Sequence, residues 1–134
     1  MKYLLDTNIC IYIIKRKPPE VRDRFNTHRP LDIGVSAITV AELEYGAYRS
    51  QQVETNRATL QQFLLPLGIL AFDLAATQAY GQLRALLSRQ GSIIGAMDML
   101  VAAQAIARNL ILVTNNTDEF QRIPELRLEN WVNR

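Results

Sequence analysis

The chain has 134 residues, 49% hydrophobic and 21% charged, which suits a single domain spanning 1–134 with a buried core and excludes a disordered segment. With 15 Lys and Arg against 13 Asp and Glu, the net charge is only +2, which excludes a histone-like binder held to nucleic acid by bulk charge. One cysteine (Cys10) and one histidine (His28) exclude a disulfide framework, Cys-rich or His-cluster metal sites and most Ser-His catalysis, leaving carboxylates, amides, hydroxyls and arginines.

In chain order, residues 2–5 form a short buried-strand pattern ending at Asp6. Residues 7–14 read as a helix capped by Asp6 or Thr7. Pro18 and Pro19 break it, and a second helix is expected over residues 20–27. Residues 31–35 form a second strand, closed by Ser36. The helix expected over 38–50 places Val40, Leu43 and Ala47 on one face and Glu42, Tyr45 and Arg49 on another. Another helix, 56–65, stops near Pro66. A third strand over 68–72 precedes a long helix over 74–90, ended by Gly91. Gly95 opens a helix running to Asn109, residues 110–113 form a fourth strand, and 126–128 a fifth.

Short apolar strands alternating with helices predict an α/β fold: a mostly parallel sheet of four to five strands, flanked by helices. Ligands of such sheets sit beyond the carboxyl ends of the strands. That rule selects Asp6, residues 36–42 and residues 114–119. The apolar run at 9–14 is too short to span a membrane. Asp6 interrupts any signal-peptide plan at the start, so a cytoplasmic protein is the expectation.

Three acids stand alone in apolar surroundings. Asp6 is the only charge between Lys2 and Lys15, Glu42 follows no charge back to Asp32, and Asp98 is the only charge between Arg89 and Arg108. Read singly, Asp6 is an N-cap, Glu42 a solvated helix residue and Asp98 a partner for a helix dipole. Together, carboxylates that converge in one pocket do not all stay ionised without a cation. With no histidine or cysteine cluster, oxygen ligands point to a hard ion, Mg²⁺ or Mn²⁺, and to metal-dependent nuclease chemistry. Ala102 and Ala105, on the face of Asp98, would let its helix press close to the sheet.

Five segments carry a family resemblance: YLLDTN (3–8), SAITVAELEYG (36–46), YGQLR (80–84), IGAMDMLVAA (94–103) and LVTNNTDEF (112–120). In order and at this spacing the chain resembles the PIN-domain ribonucleases, and within them the VapC-type toxins of toxin–antitoxin pairs. The resemblance implies a PIN-like three-layer fold and an acidic site that binds Mg²⁺ or Mn²⁺ and cuts RNA, transfer RNA among the candidates. Asp6 and Asp98 match metal ligands, and Glu42 matches an acid that binds or orients the ion. Where many relatives carry a fourth acid this chain has Asn116, an uncharged oxygen donor, with Glu119 or a water left to complete the site. Thr7 and Thr114 match supporting polar residues.

Lys15, Arg16, Lys17, Arg22, Arg24 and Arg29 form a local basic excess able to hold RNA phosphates, or simply a solvated helix face. Arg84 could grip a phosphate or an antitoxin carboxylate, or form a structural ion pair. The resemblance also implies a homodimer and a VapB-type antitoxin. Two other classes compete. A phospho-receiver domain would need an acidic pair after the first strand and a late lysine, and neither is present. A non-catalytic PIN-fold module that binds RNA or protein is the stronger rival.

Overall fold

Strand β1 (Tyr3–Leu5) is wholly buried and stops at Asp6, whose extended backbone and side chain cap helix α1 (Thr7–Lys15). In the computed structural model, which describes residues 1–133, this strand-to-cap junction recurs along the chain. Helix α2 (Pro19–Asn26) follows, with proline in its first turn, where a missing N–H loses nothing. Strand β2 (Ile33–Ser36) ends in Ser36, whose hydroxyl caps α3 (Ala37–Tyr48) by accepting the Ile38 N–H. Helix α4 (Val53–Leu64) leads to β3 (Gly68–Leu70), and Asp73 caps α5 (Leu74–Gln90). Helix α5 ends at Gly91 (φ 66°), a left-handed position where glycine carries no steric penalty. Helix α6 (Ala96–Arg108), strand β4 (Ile111–Val113), the single turn α7 (Thr117–Phe120) and strand β5 (Arg127–Glu129) complete the order.

The five strands form one fully parallel sheet in the order β3-β2-β1-β4-β5. Leu4 of central β1 lies level with Gly34 on one side and Leu112 on the other. Side chains alternate between faces with the period of two that strands impose. Tyr3, Leu5, Val35 and Val113 pack on one face with Ile9, Ile13, Leu43 and Leu60. Leu4 and Leu112 pack on the other with Leu83, Leu87, Met99, Ala102 and Ala105. Helices therefore cover both faces, and all strand carboxyl ends open on one edge. No helix among the described residues is long and apolar enough to cross a membrane.

Several boundaries differ from expectation. Residues Pro30–Asp32 form a 3₁₀ turn, so β2 begins only at Ile33. Strand β3 stops at Leu70, because the Leu70 and Ala71 carbonyls accept from the Gln104 side chain instead of a neighbouring strand. Helix α4 starts at Val53, ahead of the expected 56. Turn α7 was not anticipated; it forms around buried Phe120, whose N–H donates to the Asn116 carbonyl. Coverage on both faces holds for the central strands but not at the edges, where Ile69 and Arg127 are exposed.

Candidate active site

Adjacent strands bring Asp6 and Thr114 together, since Leu5 and Val113 are paired across β1 and β4. One Asp6 oxygen accepts the Ile9 N–H at 2.9 Å, and the other accepts the Thr114 hydroxyl. Thr114 is itself fixed: its N–H donates to the Glu129 carbonyl at 3.0 Å, and its hydroxyl oxygen accepts the Asn116 N–H at 2.9 Å. Glu42, on α3, accepts the Thr7 hydroxyl from α1 at 2.8 Å. Asp98 projects from the first turn of α6, and a Cβ on Gly95 would come 3.2 Å from its carboxylate oxygen. Glu119, on α7, accepts from the Asn116 amide.

A polar cleft of about 160 Å³ opens among these groups, lined by Asp6, Thr7, Thr39, Glu42, Asp98 and Asn116 with Asn8, Val101 and Phe120. A larger groove, about 400 Å³ and mostly apolar, adjoins it through Thr7 and Glu42 and runs past Ile11, Ile14, Lys15, Arg49 and Leu60. The smaller cleft holds the reactive groups; the larger groove offers mainly apolar surface.

Burial raises the Asp6 carboxyl from 3.8 to about 6, against the bonds from Thr114 and Ile9 and with added repulsion from Glu42. Asp98 rises from 3.8 to about 6 by burial first, then by the charges of Glu119, Asp6 and Glu42. Among the described residues the ion pairs are Arg24–Glu129, Arg29–Asp32 and Arg57–Glu44, and none neutralises the cleft acids. Nor do any three acidic, histidine or cysteine side chains among them already close on one point at metal-ligating separation. Asp6, Glu42 and Glu119 are instead held by Thr114, Thr7 and Asn116. The donor chemistry still fits a hard divalent cation: the cleft presents oxygen ligands, their repulsion lacks a protein countercharge, and a buried hydroxyl, Thr39 Oγ1, has no protein partner.

Asp6, Thr7, Glu42, Asp98 and Asn116 thus share one cleft, with Glu119 beside Asp98 and Thr114 beneath Asp6. Lys15 lines the adjoining groove, Arg16 lies at a separate pocket with Arg22 and Phe25, and Lys17 is exposed. Arg84, exposed on α5, donates to the Tyr80 hydroxyl at 2.7 Å and does not line the cleft. Thr39 was missed by sequence reasoning. Its one available signal was its place three residues before Glu42, on the same helical face.

Parallel sheet, strand-end acids and acid-bearing helices α3 and α6 together define a PIN domain, and the PIN domain family matches residues 3–126. The tRNA(fMet)-specific endonuclease VapC of Shigella flexneri is 47% identical over 131 residues, 98% of this chain and 98% of that protein. Ribonuclease VapC2 of Haemophilus influenzae is 48% identical over 132 residues, 98% and 99% of the two chains. The solved structure of VapBC2 from Rickettsia felis, bound to a DNA fragment from their promoter, superposes with a TM-score of 0.92 at 44% identity, covering 98% of this chain and 100% of that one. The chain belongs to the VapC ribonucleases of the PIN-domain family.

Proposed function

We propose that this protein is a Mg²⁺- or Mn²⁺-dependent endoribonuclease toxin of the VapC type, cutting a structured RNA such as transfer RNA in the cytoplasm and restrained by a VapB-type antitoxin. The observation that carries the reading is the meeting of Asp6, Glu42 and Asp98, from three distant segments, in one cleft without a cationic side chain. The Shigella flexneri relative, named for its action on tRNA(fMet), supports the substrate class, and the VapBC2 structure supports the partner.

Asp6, Glu42 and Asp98 would hold the ion, with Asn116 or Glu119 completing the set. When bound, such an ion lowers the pKa of water and offsets charge on the phosphate. Thr114 and Thr7 hold Asp6 and Glu42 in their orientations. Glu119, beside Asp98, would take the proton that an attacking water sheds. The water oxygen bonds to phosphorus, the bond to the 3′ oxygen breaks, and that oxygen leaves as a hydroxyl once protonated. The products are a 5′-phosphate and a 3′-hydroxyl. Lys15, Arg16, Lys17 and Arg84 are proposed contacts to RNA phosphate or antitoxin, and a homodimer is the proposed assembly.

A non-catalytic RNA-binding or interaction module is the second reading, favoured by the uncharged Asn116 at the fourth position. Incubating the purified protein with transfer RNA, in Mg²⁺ or in EDTA, separates the two. Cleavage is expected in Mg²⁺ and not in EDTA. Asp98→Asn should fold, melt no lower than wild type because it relieves carboxylate repulsion, and cut at least about 100-fold more slowly, because a charged ligand of the ion is lost. Cleavage that persists in EDTA overturns the metal mechanism; binding without cleavage favours the module.

A further inference from the structure

Two buried side-chain atoms among the described residues have no hydrogen-bond partner: His28 Nε2 and Thr39 Oγ1. His28 has a packing role, since its ring stacks on Trp131 at 5.4 Å and lies against Tyr3 at 4.6 Å. Thr39 has no such account. It is 0% exposed and lines the acid cleft. A threonine in a helix commonly returns its hydroxyl to a carbonyl one turn back. This one does not, and an unmet buried hydroxyl is a penalty that proteins rarely retain without use.

The placement follows from the β2–α3 junction. Ser36 caps α3 by accepting the Ile38 N–H at 3.0 Å and donates its own hydroxyl to Gln104 of α6. The first turn of α3 is therefore clamped, and Thr39 is carried on it into the cleft wall, three residues before Glu42. Thr39 shares that cleft with Asp6, Glu42 and Asp98 and with the polar Thr7, Asn8 and Asn116, yet its hydroxyl bonds to none of them.

We infer that Thr39 is a positioning residue: its hydroxyl is the protein partner of a water molecule held among Asp6, Glu42 and Asp98. The inference rests on the metal-nuclease reading and deepens it. The cleft, at about 160 Å³, has room for water. An anion is excluded by the carboxylates, whereas water donates to a carboxylate while bonding a neutral hydroxyl. Mg²⁺ bound by few carboxylates keeps several of its own waters, and outer partners that orient such groups commonly change affinity or activity by about 10- to 100-fold. With such an ion bound, the Thr39 hydroxyl would orient a water without adding charge to a cleft already rich in it.

The test uses the full chain as Thr39→Val, which keeps shape but loses the hydroxyl, and Thr39→Ser, which keeps the hydroxyl. Three quantities are read: melting temperature without metal, Mn²⁺ affinity from the paramagnetic resonance signal of free Mn²⁺, and kcat and KM on transfer RNA. Thr39→Val is expected to melt at or above wild type without metal, because the unmet hydroxyl is gone. It should bind Mn²⁺ about 10-fold more weakly and lose about 10- to 100-fold in kcat at unchanged KM. Thr39→Ser should restore both to within about threefold of wild type. Wild-type Mn²⁺ affinity and kcat in Thr39→Val overturn the inference, and so does a serine variant as impaired as the valine one. If Thr39→Val does not fold, Thr39→Ala replaces it against Thr39→Ser, and equal behaviour of that pair overturns the inference. A wild-type protein that neither binds Mn²⁺ nor cuts RNA overturns the functional reading itself, whatever the variants do.

Discussion

Asp6 serves two structural masters and, in the proposed reaction, a chemical one. One oxygen caps α1 and the other is held by Thr114, both bonds favouring the ionised form, yet burial still raises its carboxyl to about 6. Thr114 is therefore the lever on this acid. Thr114→Val removes the hydroxyl that donates to Asp6 and accepts the Asn116 N–H. The Asp6 carboxyl should rise above its value in wild type, with a stability loss of about 1–3 kcal/mol. Carbon-detected NMR titration of Asp6 and urea unfolding check both; an Asp6 titration unchanged by the substitution would show that Thr114 does not tune it. At this scale Asp6, Glu42 and Asp98 were legible because a lone charge in an apolar stretch needs a reason. Thr39 was not, because a neutral hydroxyl disturbs no pattern and its missing partner exists only in three dimensions.

Among the elements, α6 matters most, because its position sets where Asp98 stands relative to α3. Small Ala102 and Ala105, both fully buried, pack in the core cluster that holds Leu4 and Leu112 of the sheet. Gln104 then fixes the helix to the strand ends. Its amide donates to the Leu70 and Ala71 carbonyls at 3.2 and 3.1 Å, and its oxygen accepts from Ser36. Gln104→Leu keeps much of the volume but strands these buried polar groups, and should destabilise the protein by about 2–4 kcal/mol. Urea unfolding measures it, and a loss below about 0.5 kcal/mol, the range of ordinary surface substitutions, would make the network peripheral. The helix was legible from its apolar run and its Gly95 and Asn109 ends. The bolt was not, since a glutamine on a helix carries no sign of the two strand ends it will meet. Turn α7 escaped for a related reason: four residues are too few for periodicity, and the burial of Phe120 holds them.

For the whole molecule, the raised carboxyls make stability depend on pH in an unusual direction. Between about pH 4 and 6 the folded protein holds protons at Asp6 and Asp98 that the unfolded chain has released. Stability contributed by these groups is therefore lost as pH rises through that window and is level above it. Asp6 alone contributes on the order of 2–3 kcal/mol to this slope. Melting in EDTA should be higher near pH 4.5 than at pH 7. Mg²⁺ at pH 7 should recover the difference, about 2.7 kcal/mol at 100 times its Kd. A melting temperature that rises steadily from pH 4.5 to 7 in EDTA would contradict the burial of these acids.

Strand and helix alternation, the capped strand ends, the two-faced apolar packing and the identity of the isolated acids were all set by local order along the chain, because periodicity, capping and charge isolation are properties of neighbours. Which acids meet, and with what, was decided only on folding. The parallel order β3-β2-β1-β4-β5 puts Asp6 beside Thr114, 108 positions away, and α6, tied to β2 and β3 through Gln104, brings Asp98 to the cleft that Glu42 lines. Long-range register and helix docking determine distance, and distance in a poorly solvated cleft determines how strongly like charges repel and what must be bound to relieve them.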